Sequence, residues 1–280
     1  MTTTAGGTSR LVTTERTQIS MSDFEKEIVR LESASESINM LIFGDANAGK
    51  TRLAGTLTGK NFWLFGEPGW KSAARGGATG FGHAIRNAAD AWAAVEWLEY
   101  RERYRRYGWV IIDGGSWVQE RVRLNYAAEA FDINPTKRQH RNLPDKPDYF
   151  NTQNWVKSWM ARMVDMPINL LLTCHAWRTD ETDAELLVFP GIQGKVTETA
   201  NTVCGLMDAV GYLEKRRVRS KDGTKSRIIR RLHFESPDNG PKGDDVRYMV
   251  GDKLDCLGAY IDNPTMPDII AMISGEGENA

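Results

Sequence analysis

The chain has 280 residues, of which 41% are hydrophobic, and a formal net charge of −1. That apolar content is enough to bury a core, as one large α/β domain or one domain with an appendage. With a sequence pI of about 6.5 no global field draws the chain to nucleic acid, so any such binding must come from a local patch.

Residues 1–20 are polar and rich in Thr, and are expected to form a flexible tail. Ser22-Asp23-Phe24-Glu25 carries the signal for a cap on a short helix reaching about Leu31. The apolar run Ile38-Asn39-Met40-Leu41-Ile42-Phe43 reads as a buried strand, and the segment from Lys50 as the first turns of a helix. Asn61-Phe62-Trp63-Leu64-Phe65 predicts a second strand, ending at Gly66-Glu67-Pro68-Gly69. A glycine-rich loop (Gly76, Gly77, Gly80, Gly82) then leads into a helix expected from about Ala84 to Tyr104. Trp109–Asp113 reads as a third strand, followed by a helix from about Trp117 to Ala130.

Residues 132–150, with Pro135, Pro144, Pro147 and a basic cluster, read as a long surface loop. A helix from about Thr152 to Met163 and a strand from Ile168 to Cys174 follow, then a second long loop from about Trp177 to Glu198. Ala209–Leu213 predicts a fifth core strand. Lys221-Asp222-Gly223-Thr224 is a hairpin turn signal between two basic runs, and Met266–Ile273 a short apolar helix. Strands alternating with helices predict an α/β fold with a mostly parallel sheet flanked by helices and a C-terminal β-hairpin. The expected organisation is a tail over 1–20, a core over 21–262 with a basic hairpin at about 215–235, and a C-terminal helix and tail over 263–280.

Between the first strand and its helix lies Gly44-Asp45-Ala46-Asn47-Ala48-Gly49-Lys50-Thr51, a complete G-x-x-x-x-G-K-[ST] phosphate-binding loop. Its glycines let backbone N–H groups curl around a polyphosphate, and the helix N-terminus adds positive potential. Lys50 is expected to reach the β- and γ-phosphates and Thr51 to ligate magnesium, so ATP and Mg2+ are the expected ligands. Asp113, ending a strand of apolar residues, is the expected second magnesium ligand. Gly114 follows it where many such ATPases carry a glutamate, so the residue that activates water must come from elsewhere. Glu67, just past the second strand, is the candidate, with Glu120 as its rival. Thr173 or His175, at the end of the fourth strand, is expected to sense the γ-phosphate.

These residues resemble the RecA-type ATPase core. The order of Leu41–Gly44, Trp63–Gly69, Val110–Gly114, Leu171–His175 and Phe189–Lys195 is more narrowly similar to the phage RecA-like single-strand annealing proteins, the Sak-four class. The resemblance covers roughly residues 36–262. It implies rings or filaments, binding to single-stranded DNA, and cooperation with a single-strand DNA-binding protein in recombination. Members often carry a Lys-Asp-Arg-like motif near the last strand, of which Gly251-Asp252-Lys253 is only a partial counterpart.

The expected DNA contacts are Lys137, Arg138 and Arg141 of the first long loop, Lys195 of the second, and Arg227, Arg230 and Arg231 of the hairpin. One hairpin arginine could instead reach a neighbouring subunit's nucleotide. A small-molecule kinase, and a nucleotide-binding module with little hydrolysis, stay open as alternatives. Cys174, Cys204 and Cys256 lie too far apart for a disulfide framework or metal-ligand spacing, and read as thiols in a reducing compartment. With no apolar run near the ~18–20 residues of a bilayer span and no signal-peptide stretch, the expected location is the cytoplasm, that of a host cell if the chain is phage-encoded.

Overall fold

The computed structural model describes residues 37–179, 186–194, 197–219, 226–236 and 246–275. The expected tail, the helix near residues 22–31, the hairpin turn and Lys195 lie outside the described residues.

In chain order the elements are β1 (Asn39–Gly44), α1 (Lys50–Ala54), β2 (Asn61–Phe65), α2 (Trp70–Gly76), β3 (Gly80–Ala84), α3 (Ala88–Glu99), β4 (Trp109–Asp113), α4 (Gly115–Ile133) and α5 (Lys146–Val164). They continue with β5 (Asn169–Arg178), β6 (Leu186–Pro190), α6 (Glu198–Leu206), β7 (Ala209–Arg219), β8 (Ser226–His233), β9 (Val246–Tyr248), β10 (Gly251–Asp252), β11 (Tyr260–Asp262) and α7 (Met266–Ile273). The sheet runs β3-β2-β4-β5-β1-β7-β8-β11. From β3 to β7 every pairing is parallel, and β8 and β11 close that edge antiparallel. The fold is therefore α/β with a mostly parallel sheet, as the alternation of elements predicts.

The strands read as continuous apolar runs because both faces of the sheet are covered. Alternate residues of β1 point opposite ways. Leu41 and Phe43 join a core with Leu64, Ile112, Leu170 and Trp159, under α3, α4, α5 and α6. Met40 and Ile42 join another with Leu53, Ala73, Leu171, Met266 and Ile269, under α1, α2 and α7. Each fully buried Leu or Ile contributes about 2 kcal/mol by leaving water. This two-sided burial holds β1, β4 and β5 side by side, and their carboxyl ends together form the floor of the site.

Four expectations need correction. The glycine-rich loop contains β3, an edge strand parallel to β2; Gly and His residues mask it, since edge strands need little apolar patterning. The helix expected over 84–104 is α3, whose N-cap is Asn87, followed by a tighter 3-10 turn over Tyr100–Arg106. The expected loop over 132–150 shrinks, because α4 runs to Ile133 and α5 starts at Lys146. Asp145 and Asp148 form a capping box with Pro147 in the first turn, so the acids and the proline that suggested a turn are a helix start. The second expected loop holds β6, paired antiparallel with the extended end of β5.

Candidate functional site

The phosphate-binding loop leaves β1 at Gly44 and enters α1 at Lys50. Asn47 and Gly49 both have left-handed backbone, with φ of 63° and 108°. At Gly49 this suits glycine, and a Cβ there would also meet the Arg230 guanidinium at 2.5 Å. The Lys50 amine is buried and donates to the carbonyls of Gly44 (2.8 Å) and Asp45 (3.0 Å). Burial pulls its pKa down from the ordinary lysine value, opposed by the negative charge of Glu67, Asp113 and Asp45. Asp45 is itself clamped by Arg178, whose two terminal nitrogens each donate to a carboxylate oxygen at 2.8 Å. No local signal announces that clamp, because 133 residues separate the partners.

Asp113, fully buried at the end of β4, accepts from the Thr51 hydroxyl at 3.0 Å and from the Thr173 hydroxyl at 2.8 Å. The Gly114 amide donates to the same Thr173 oxygen at 3.0 Å. Burial raises the Asp113 pKa, and the two hydroxyls partly offset the rise. Among the described residues no group of three or more His, Cys, Asp or Glu could hold a metal. A hydroxyl and a carboxylate are nevertheless the hard-oxygen pair that suits Mg2+, which keeps waters and takes phosphate oxygens for its other positions. A buried carboxylate whose hydrogen-bond partners among the described residues are hydroxyls gains most from such a cation, so the residues fit it.

Glu67 lies across the loop from Asp113. Its side chain covers Gly114, where an added Cβ would lie 3.2 Å from Glu67 Cγ. Its carboxylate is 3.9 Å from His175 Nε2. Burial and the nearby Lys50 hold His175 below the usual histidine value, opposed by the charges of Glu67 and Asp45. The His175 amide donates to Ser116 Oγ at 3.0 Å, which fixes this part of β5 against α4. The rival Glu120 is instead paired with Arg123 on α4. Lys50, Thr51, Glu67, His175 and Arg230 together line an open cleft of about 600 Å³.

The structure separates the residues expected at DNA. Arg138 is mostly buried and ion-pairs with Asp148 and with Asp145 (3.3 Å), so it braces the start of α5. Arg141 pairs with Asp132 at 2.8 Å on the surface. Lys137 is exposed. Arg231 pairs with Asp262 at 2.7 Å and stacks over Tyr260 at 3.7 Å. Arg230 leaves the basic surface altogether: its Nε donates to the Ala48 carbonyl at 2.9 Å, on the phosphate-binding loop of its own chain. Arg227 stays exposed. Sequence spacing does not foretell these partners, because it says nothing about which acid each arginine meets. Lys253 lies beyond β10, which pairs with the start of β7 at the end away from the cleft, and donates to the Gly205 carbonyl at 2.6 Å.

The cysteines Cys174, Cys204 and Cys256 are free thiols, and burial pushes Cys174 and Cys204 up to about 12, which leaves both unreactive. Among the described residues no helix is long and apolar enough to cross a membrane. A family model described as an AAA domain matches residues 36–240. No curated protein matches the chain.

Proposed function

Since the chain belongs to the AAA domain family of P-loop ATPases, we propose that it binds ATP with Mg2+ and hydrolyses it, and that this cycle drives single-stranded DNA binding and annealing or strand pairing by an oligomer. The observation that carries the ATPase half is the convergence of Lys50, the Thr51–Asp113 pair and the Glu67–His175 pair on one cleft.

Each residue's part follows from its position. The loop amides and the α1 N-terminus bind phosphate oxygens. Lys50, held by two backbone carbonyls, sets its charge between the outer phosphates. Thr51 and Asp113 would hold Mg2+, which supplies charge neutralisation for the developing phosphate charge. Glu67 accepts the proton of the attacking water. His175, with its Nε2 3.9 Å from that carboxylate, is placed to hydrogen-bond the same water or the terminal phosphate. Thr173 links Asp113 to the Gly114 amide, so a change at the metal position is passed to the start of α4.

The DNA half rests on the resemblance to phage single-strand annealing proteins and on the hairpin. In the β7–β8 register Lys215 faces Arg230, Arg217 faces Ile228 and Arg219 faces Ser226. Directly opposed residues share a face, so Lys215, Arg217 and Arg219 form an exposed basic stripe leading away from the cleft. Such a stripe suits the phosphates of a single strand next to a nucleotide-controlled site. A single-strand DNA-binding protein is the further partner that this reading implies.

Hydrolysis of ATP measured with and without single-stranded DNA tests the reading. Stimulation by DNA supports it. Steady turnover indifferent to DNA refutes the DNA half and favours a kinase, and binding without turnover leaves a nucleotide-binding module.

A further inference from the structure

Behind Arg230 a second cavity of about 220 Å³ adjoins the cleft, with Gly49, Arg52 and Arg230 shared between the two. Its other walls include Leu53 and Thr56 of α1, Leu213 of β7, and the segment Asn263-Pro264-Thr265 between β11 and α7. We propose that Arg230 and Asn263–Thr265 form the nucleoside side of their own chain's nucleotide site. Arg230 binds the phosphates nearer the ribose, and the second cavity takes the sugar and base. The proposal rests on the nucleotide-binding reading above. It adds residues 263–265, which lie outside the 36–240 matched by the family model.

Direction along the cleft argues for this. Glu67 and His175 mark the end where the terminal phosphate is attacked. A polyphosphate running from there past Lys50 and Gly49 reaches Arg230 next, and beyond Arg230 the second cavity adjoins the cleft. Its lining, apolar from Leu53, Leu213 and Pro264 with a few polar groups, is the usual composition of a site for a flat heterocycle.

Arg230 is also held in place before any ligand arrives. Its amide donates to the Asn263 side-chain oxygen at 3.0 Å, and its carbonyl accepts from the Asn263 amide at 2.6 Å. Its Nε is used on Ala48, and its two terminal amino groups have no hydrogen-bond partner among the described residues. A guanidinium anchored at one nitrogen, with the fork of two others free beside a phosphate-binding loop, is arranged to take phosphate oxygens. The anchoring Ala48 belongs to the same chain, so the arginine serves its own site rather than a neighbour's.

The test is titration of wild type, Arg230→Ala and Pro264→Trp with fluorescent ADP and, in competition, with tripolyphosphate. Arg230→Ala should weaken both ligands about tenfold or more, as loss of a charge-assisted pair does. Pro264→Trp, which fills the second cavity, should weaken ADP about tenfold and leave tripolyphosphate unchanged. Mixed Lys50→Ala and Arg230→Ala chains should regain no ATPase activity, and recovery would show that Arg230 acts across an interface. Unchanged ADP affinity in either single variant overturns the proposal. If Pro264→Trp does not melt cooperatively, photolabelling of wild type with 8-azido-ATP decides: label on residues 52–56 or 263–265 supports the proposal, and label elsewhere overturns it. Should Lys50→Ala also leave ADP affinity unchanged, the nucleotide reading itself fails, a result distinct from failure at Arg230 alone.

Discussion

Lys50 makes its two hydrogen bonds to backbone carbonyls of the phosphate-binding loop and lines the cleft, so its amine is a tool for phosphate and not a prop for the core. Lys50→Ala is expected to raise the Kd for ATP at least tenfold and abolish hydrolysis, while the thermal melt stays cooperative. Fluorescent-nucleotide titration and calorimetry check both halves. Glu67 sits differently, over Gly114 and 3.9 Å from His175, with no phosphate-binding amide depending on it. Glu67→Gln keeps the volume and removes the proton acceptor, so turnover should fall about 100-fold or more while ATP and Mg2+ still bind. Single-turnover assays read the first outcome and equilibrium titration the second. If Glu67→Gln turns over normally and Glu120→Gln does not, the proton acceptor lies on α4, and its pairing with Arg123 must open during the cycle.

What the chain discloses about itself differs from element to element for physical reasons. β1, β2 and β4 are buried on both faces, so their apolar runs stand out, and the phosphate-binding loop carries its own spacing; these parts of the fold and site are legible from residues alone. β3 and β6 sit at the margins and are not, because an edge strand can be built from Gly-Phe-Gly-His-Ala. α5 is the clearest case of a misleading signal. Its start looks like a turn until Asp148 is seen to accept from the Asp145 amide at 2.8 Å and to pair with Arg138. That pair makes Arg138 a structural residue, and Arg138→Ala should destabilise the protein by taking the charged partner from the Asp148 carboxylate. The pH dependence gives a second check. Burial tends to raise the Asp148 pKa, but hydrogen bonds from Arg138 and Asp145 and the Arg138 charge hold it below the ordinary value of about 3.9. The stabilisation is therefore complete above pH ~4 and lost as pH falls through the depressed folded value. Chemical denaturation from pH 7 to pH 2 should show wild type and Arg138→Ala converging in acid, and a constant gap would mean that the carboxylate does not sense the guanidinium.

At the scale of the whole molecule, a chain with net charge −1 has no long-range pull on DNA, so the proposed binding must concentrate where cations are both exposed and uncommitted. Near the cleft, Arg178 is taken by Asp45 and Arg231 by Asp262, while Arg230 is anchored on Ala48 and turned towards the nucleotide site. The stripe Lys215, Arg217 and Arg219 lies on the Arg230 face and stays exposed. Changing these three together to Ala should weaken single-stranded DNA binding and reduce the slope of log affinity against log salt by about 2, the release expected for three phosphate contacts on a single strand. Lys137→Ala with Arg227→Ala should change that slope less, since the two residues lie on separate elements. Light scattering on the same samples separates the two uses a basic hairpin can have. Lost binding with the assembly preserved marks a phosphate contact, whereas dissociation marks a subunit interface. If neither set of changes alters affinity at low salt, the chain is an ATPase whose partner is not single-stranded DNA.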